Sequence, residues 1–315
     1  MPPQLHTDHT SAQPAAPRPA RRRRFALLAG LALALAVVVV AAVVLPTVNP
    51  PVPQAPPPPP PVASPQPPPP DPNAPCGGEA PLRDDGTEWR CTWSDEFTGT
   101  ALSEVWELIP YGLGSSCLFD DPDYVQVSNG MLHLLARELP ADHWCTEEYG
   151  LQYGGGGIQS SNGFAQQYGR FEIRAKLPPG TGFWPAIWLL PDDDSFDGEI
   201  DIMEAYGGRN NNGDATLHSP SAGPGPQNSC AIAPDMSADF HTYRMDWSPE
   251  RIQVYFDDQL CADFTGPVGD APSIRAAFDK PYHVLLNLAV QPWWPPDAAT
   301  PFPATMLVDY VRAWR

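Results

Sequence analysis

The chain has 315 residues, with 37 Asp and Glu against 18 Lys and Arg, giving a formal net charge of −19. The first 24 residues are basic at +4, so the remainder carries −23. That excess excludes a domain that binds nucleic acid or anionic lipid and points to a neutral or cationic partner; the length allows one or two domains.

Residues 1–24 read as a cytoplasmic basic tail ending in Arg21 to Arg24. Residues 25–45 follow as an uncharged apolar run of 21 residues. A helix of that length crosses a bilayer, and basic residues before it place the N-terminus in the cytoplasm. A cleaved signal peptide is the competing reading. Its apolar core is usually about 7–15 residues and ends at a small-x-small site, which this longer run lacks. An uncleaved membrane anchor is therefore favoured. Residues 46–75 hold 17 prolines in 30 positions, a stiff polyproline II spacer. Residues 76–315 remain for a globular domain outside the cytoplasm, a monomer on a tether. All six cysteines fall within it, which suggests disulfides. Sequential pairing, Cys76–Cys91, Cys117–Cys145 and Cys230–Cys261, closes short loops and is expected. No C-x-x-C spacing supports metal binding by these cysteines.

Along 76–315, short alternating runs broken by Gly, Pro, Asn and Asp replace helical periodicity, the pattern of an all-β sandwich. Tyr124–Ser128 leads through an Asn129-Gly130 turn into Met131–Ala136. Gly154 to Gly157 read as a flexible loop. Arg170–Leu177 alternates, with Phe171, Ile173, Ala175 and Leu177 inward and charges outward. Trp184–Leu190 sets Trp184, Ala186 and Trp188 on one face and Ile187 and Leu189 on the other. Asn210–Gly213 and Ser219–Gln227 read as loops bordering a cleft. Arg251–Phe256, Tyr282–Ala289 and Met306–Trp314 complete the strands. Trp293 and Trp294, in a Pro-rich loop, suit a cleft rim better than a core. Flat aromatic rings stack on sugar faces.

The stretch 197–207 organises the rest. In a strand Glu199 and Asp201 share one face and Ile200 and Ile202 the other. Strict alternation sends Glu204 to the apolar side. A β-bulge near Ile202 or Met203 returns it to the carboxylate face. Three acids in a row repel, so at least one stays protonated near neutral pH. Glycoside hydrolysis needs two carboxyl groups in opposite protonation states across one bond. The bland alternative is an acidic solvent-facing strand.

Glu199-Ile-Asp-Ile-Met-Glu204 resembles the E-x-D-x-x-E motif of glycoside hydrolase family 16, in the bulged form of its laminarinase-like, endo-β-1,3-glucanase members. Trp93-Ser-Asp-Glu-Phe97, Tyr168-Gly-Arg-Phe-Glu172, Trp184–Pro191, Thr216-Leu-His218, Asn287-Leu-Ala-Val290 and Val308-Asp-Tyr-Val-Arg312 agree in order. The resemblance covers about 90–315. It implies a β-jelly-roll sandwich of two antiparallel sheets with a concave cleft, making 76–315 a catalytic domain that acts on a β-glucan by retention and needs no cofactor for chemistry. It assigns Glu199 as nucleophile, Glu204 as general acid/base and Asp201 as the acid between them. Trp184, Trp188, His218, Asn287 and Trp294 fall at cleft-lining positions, with His218 either orienting Glu204 or touching sugar. It also implies a structural Ca²⁺ on the convex side, at Glu96, the carbonyl of Gly130 and Asp309; a structural carboxylate pair is the alternative there. Gln291-Pro-Trp-Trp-Pro-Pro296 departs from the family pattern, as do the four glycines and Cys117 with Cys145. A mixed-linkage glucanase, a galactan hydrolase, a transglycosylase and a wall-tethered glycan-binding module without catalysis stay as rivals.

Overall fold

A computed structural model of the protein describes residues 75–315, except 79, 119–120, 194–197, 208–211, 220–222 and 232–234. The expected basic tail, apolar run and all but the last residue of the spacer lie outside the described residues. Among those that are described, no helix is long and apolar enough to cross a membrane.

The described chain is all-β, with two short helices, α1 (Trp144–Tyr149) and α2 (Ile274–Ala277). Its strands are β1 (Cys91–Asp95), β2 (Glu107–Leu108), β3 (Ser116–Leu118), β4 (Val125–Ser128), β5 (Met131–Glu138), β6 (Tyr153–Gln159), β7 (Gly169–Lys176) and β8 (Phe183–Pro191). They continue as β9 (Glu199–Ala205), β10 (Asn212–Ser219), β11 (Gly223–Ala231), β12 (His241–Trp247), β13 (Arg251–Phe256), β14 (Gln259–Thr265), β15 (Tyr282–Val290) and β16 (Ala304–Trp314). One sheet runs β11-β10-β9-β8-β15-β6 and the other β6-β5-β16-β7-β12-β13-β14. Every strand pair is antiparallel except β3 with β6. The two sheets bury their facing apolar sides: Ile187, Leu189, Ile200, Ile202 and Leu286 from the first and Phe171, Ile173, Met245 and Val254 from the second belong to one core. Such a sandwich keeps alternate residues inward along each strand.

β6 belongs to both sheets, and this corrects the reading of Gly154 to Gly157 as a flexible loop. Gly154 and Gly155 pair with Arg137 and Ala136 of β5, whereas Gly156 and Gly157 pair with Leu288 and Asn287 of β15. A strand that changes sheets must bend at a corner, and here the corner is buried. A Cβ on Gly156 would stand 2.2 Å from the Tyr124 carbonyl oxygen, and one on Gly157 would stand 2.9 Å from Ile109 Cδ1. The glycines serve close approach, not mobility. Gly156→Ala is expected to cost about 3 kcal/mol, the upper end for an overpacked core. Urea titration of the purified variant checks this, and a loss below about 1 kcal/mol would contradict it.

The Asn129-Gly130 turn forms as expected, with φ of 54° and 71°, the left-handed pair of a two-residue hairpin. Asp257 and Asp258 do the same between β13 and β14, with φ of 47° and 63°; short acidic side chains tolerate that conformation. Ser219–Gln227 is corrected from loop to strand: its described part lies in the β10–β11 hairpin, and Asn212-Gly213 opens β10. Arg170, expected to point outward, is buried in a bidentate pair with Asp246 at 2.6 and 2.8 Å. The three disulfides pair in sequence, Cys76–Cys91, Cys117–Cys145 and Cys230–Cys261.

Candidate active site

β9 carries the bulge. On β8, Ile187 pairs with Met203 and its neighbour Trp188 with Asp201. On β10, Asp214 pairs with Glu204 and Thr216 with Asp201. Each register uses one more residue on β9 than on its neighbour. Ile202 and Met203 are consecutive yet both lie in the sandwich core with Ile200. Glu204 therefore emerges on the outer face with Glu199 and Asp201, above an apolar floor.

Burial and mutual repulsion set the charge state. Asp201 is 1% exposed, and Glu199 and Glu204 are half-buried. Burial, then the neighbouring Asp201 charge, pushes the Glu199 carboxyl up to about 8, against the opposing pull of His218. Burial and the Glu204 charge hold Asp201 well above the usual carboxylate range. Burial also raises Glu204, while hydrogen bonds donated by Trp184 Nε1 at 2.9 Å and by the Tyr206 hydroxyl work against it. The three acids cannot all ionise at neutral pH.

His218 Nε2 stands 2.9 Å from Asp201 Oδ2 and 3.5 Å from Glu199 Oε1. It thus faces the other two acids, and the side chain opposite Glu204 on β10 is Asp214. Trp184, half-buried, sits beside Tyr206 and Trp293, with ring centroids at 5.8 and 5.3 Å. Tyr206 in turn meets Trp293 at 6.0 Å and Trp294 at 6.3 Å. Trp293 and Trp294 are 59% and 48% exposed, forming an aromatic rim at the Glu204 end. Trp188 and Asn287 lie on the outer face of their sheet but are buried rather than open to a cleft. Trp188 packs with Ile109, Ala186 and Leu285, with Tyr111 and Leu113 against the cluster, and its Nε1 donates to Asn287 Oδ1 at 2.8 Å. The segment around Ile109 packs over Trp188, which flanks Asp201 on the same face from the neighbouring strand.

Two participants escaped the sequence reading. Tyr206 follows Glu204 by two residues, so strand alternation could have flagged it. Asp214 is 1% exposed and accepts from Gln227 Nε2 at 2.7 Å and from the Ser229 hydroxyl. Its charge adds to the rise at Glu204, and only the strand pairing reveals it.

The expected calcium ligands find no support as a set. Glu96 is engaged by Arg312 through two bonds of 2.8 and 2.7 Å, and Asp309 by Arg174 at 2.5 Å. Gly130 occupies the β4–β5 turn. An ion there would compete with two guanidinium groups for its carboxylates.

The family model for glycosyl hydrolases family 16 matches residues 118–312. The beta-glucanase of Rhodothermus marinus is 34% identical over 74% of this chain and 87% of its own. The glucan endo-1,3-beta-glucosidase A1 of Niallia circulans is 31% identical over 71% of this chain but only 37% of its own. The solved endo-beta-1,3-glucanase from Pyrococcus furiosus superposes with a TM-score of 0.64 at 28% identity, covering 75% of this chain and 98% of that one.

Proposed function

This chain belongs to glycosyl hydrolase family 16, and for this glycoside hydrolase we propose endo-acting cleavage of β-1,3-glucan of the laminarin type, with retention at the anomeric carbon. The observation that carries the reading is the β9 bulge, which brings Glu204 onto the face of Glu199 and Asp201 in a cluster that must keep protons.

In this mechanism Glu204 donates its proton to the leaving glycosidic oxygen while ionised Glu199 attacks the anomeric carbon. Glu204, now a base, activates the water that releases the sugar from Glu199. The burial gradient suits those roles. Of the two acids, Asp201 is the deeper and loses more by ionising, so in this mechanism it keeps the proton, against the hydrogen bond between them, which favours Glu199 as the donor. Negative charge is thereby left on the more exposed Glu199. Trp184 Nε1 fixes the Glu204 carboxyl in place, and Trp184, Trp293 and Trp294 offer faces to sugar rings. His218 holds Asp201 rather than Glu204. A domain of net charge −23 beyond residue 24 favours an uncharged polymer over a sulfated or carboxylated one. Residues 25–45 and the Pro-rich spacer would hold the domain outside the cytoplasm as a tethered monomer.

Cleavage of mixed-linkage glucan is the second reading, favoured by the Gln291–Pro296 loop, which departs from the family pattern and brings two exposed tryptophans to the Glu204 end. A panel of laminarin, lichenan and agarose separates the readings. Laminarin is expected to release reducing ends at least ~10-fold faster than lichenan, and agarose none. Faster lichenan cleavage moves the assignment to the mixed linkage, and binding without reducing-end release would leave only a glycan-binding module.

A further inference from the structure

Tyr206 stands between the Glu204 carboxyl and the aromatic rim. It lies just past the end of β9, where the backbone is pinned. Gly207 N–H donates to the Phe183 carbonyl at 2.8 Å, and the Gly207 carbonyl accepts from Nε2 of the buried Gln291 at 2.9 Å. Gln291 opens the loop that carries Trp293 and Trp294, so that loop and Tyr206 share an anchor. The Tyr206 ring meets Trp184, Trp293 and Trp294 at centroid distances of 5.8, 6.0 and 6.3 Å. Its hydroxyl hydrogen-bonds the Glu204 carboxyl.

Glu204 must act first as an acid and then as a base, so its carboxyl needs a fixed plane in both charge states. The terminal torsion of a glutamate is broad, and one hydrogen bond leaves the carboxyl free to turn about it. Trp184 Nε1 is a donor only and holds Oε1 at 2.9 Å in either state. The Tyr206 hydroxyl is the second contact. Burial, then the Glu204 and Asp201 charges, hold that phenol far above its usual range, so it stays a donor at any working pH. The other titratable groups that act on Glu204 come from two strands. Glu199 and Asp201 share β9 with it, and each is raised by its charge. From β10, Asp214 opposes its ionisation and His218 favours it. Removing the Tyr206 hydroxyl leaves all four in place. We infer that Tyr206 is a positioning residue for proton transfer: its hydroxyl fixes the Glu204 carboxyl, and its ring ties that carboxyl to a sugar seated on Trp293 and Trp294. This rests on the reading of Glu204 as the acid/base, and not on which β-glucan is cleaved.

The test uses Tyr206→Phe in the full chain, which keeps the ring and removes the hydroxyl. On a β-1,3-linked gluco-hexasaccharide, whose leaving oxygen needs a proton, kcat/KM should fall about 10-fold. On 2,4-dinitrophenyl laminaribioside, whose leaving group departs unprotonated, it should fall less than about 2-fold. Carbon NMR of the glutamate-labelled chain, with Glu204 assigned through Glu204→Gln, should show its midpoint rising by about 0.5–1 pH unit, because a donor to the charged form is gone. Tyr206→Leu removes the ring as well and should add a rise of about fivefold in KM for the hexasaccharide. Equal losses on the two substrates, or an unmoved Glu204 midpoint, overturn the inference, and an unchanged KM in Tyr206→Leu overturns the link to the rim. If the unsubstituted chain cleaves neither substrate, the acid/base reading fails by itself. The midpoint in Tyr206→Phe then still decides whether the hydroxyl holds the carboxyl.

Discussion

Glu199→Ala is expected to lower laminarin turnover by roughly 10⁴-fold or more without unfolding the domain. The side chain is half-buried on the outer face of β9 and is not part of the sandwich core, so its removal opens no cavity beneath the sheet. The stereochemistry of rescue separates the two glutamates. In Glu199→Ala, azide can occupy the vacated space, attack the anomeric carbon once while Glu204 protonates the leaving oxygen, and yield the inverted α-glycosyl azide. In Glu204→Ala, Glu199 still forms the glycosyl-enzyme with a good leaving group. Azide then attacks that intermediate and gives the retained β-product. An activated aryl laminaribioside with sodium azide, read by proton NMR, makes the comparison. Azide products of one configuration from both variants would refute the assignment of separate roles, and unchanged laminarin cleavage by Glu199→Ala would remove Glu199 from the mechanism.

What the sequence revealed and what it hid divide along a physical line. Periodicity within one strand is legible, because alternation fixes which side chains share a face. Hence Trp184, Ala186 and Trp188 separate from Ile187 and Leu189, and the need for a bulge follows from three acids and three apolar residues in six positions. What lies across a strand is not legible. The partner of His218 is set by the β9–β10 register, which opposes it to Glu199. Asp214 depends on the same register. Burial of Trp188 and Asn287 depends on the distant segment around Ile109. The glycines of β6 look flexible in a string of letters and prove rigid because two sheets meet at them. Arg170 alternates outward by pattern, yet Asp246 on β12 draws it into a buried pair. The three disulfides pair sequentially, as the preference for short loops suggested among 15 possible pairings. The pairing of Glu96 with Arg312 and of Asp309 with Arg174 was likewise hidden, because each joins residues far apart in sequence.

A second large effect should appear as stability gained where activity is lost. Asp201→Asn is expected to make the protein more stable than its parent by about 1–3 kcal/mol at pH 8, with the gain shrinking to nothing near pH 4. Unfolded, Asp201 titrates near 3.8, whereas burial holds its carboxyl well above that in the fold. Between those values the folded state binds more protons than the unfolded chain, so stability falls as pH rises. Its favourable contribution is fully present below the unfolded value and is lost as pH climbs toward the folded one. Glu199, raised from 4.5 to about 8, slopes the same way. It is discounted here because about a third of its side chain meets water. Asparagine occupies the same space, cannot ionise, and can still donate to Glu199, so it removes the cost of charge without leaving a hole. It also removes the proton that Asp201 shares with Glu199, and turnover should fall by about 10²-fold. Urea melts of both proteins at half-unit intervals from pH 4 to 8 test the sign. If the two curves run parallel across that range, or if the variant is the less stable at pH 8, then Asp201 is not a buried acid held neutral by its surroundings, and the account of how Glu199 stays ionised beside it fails with it.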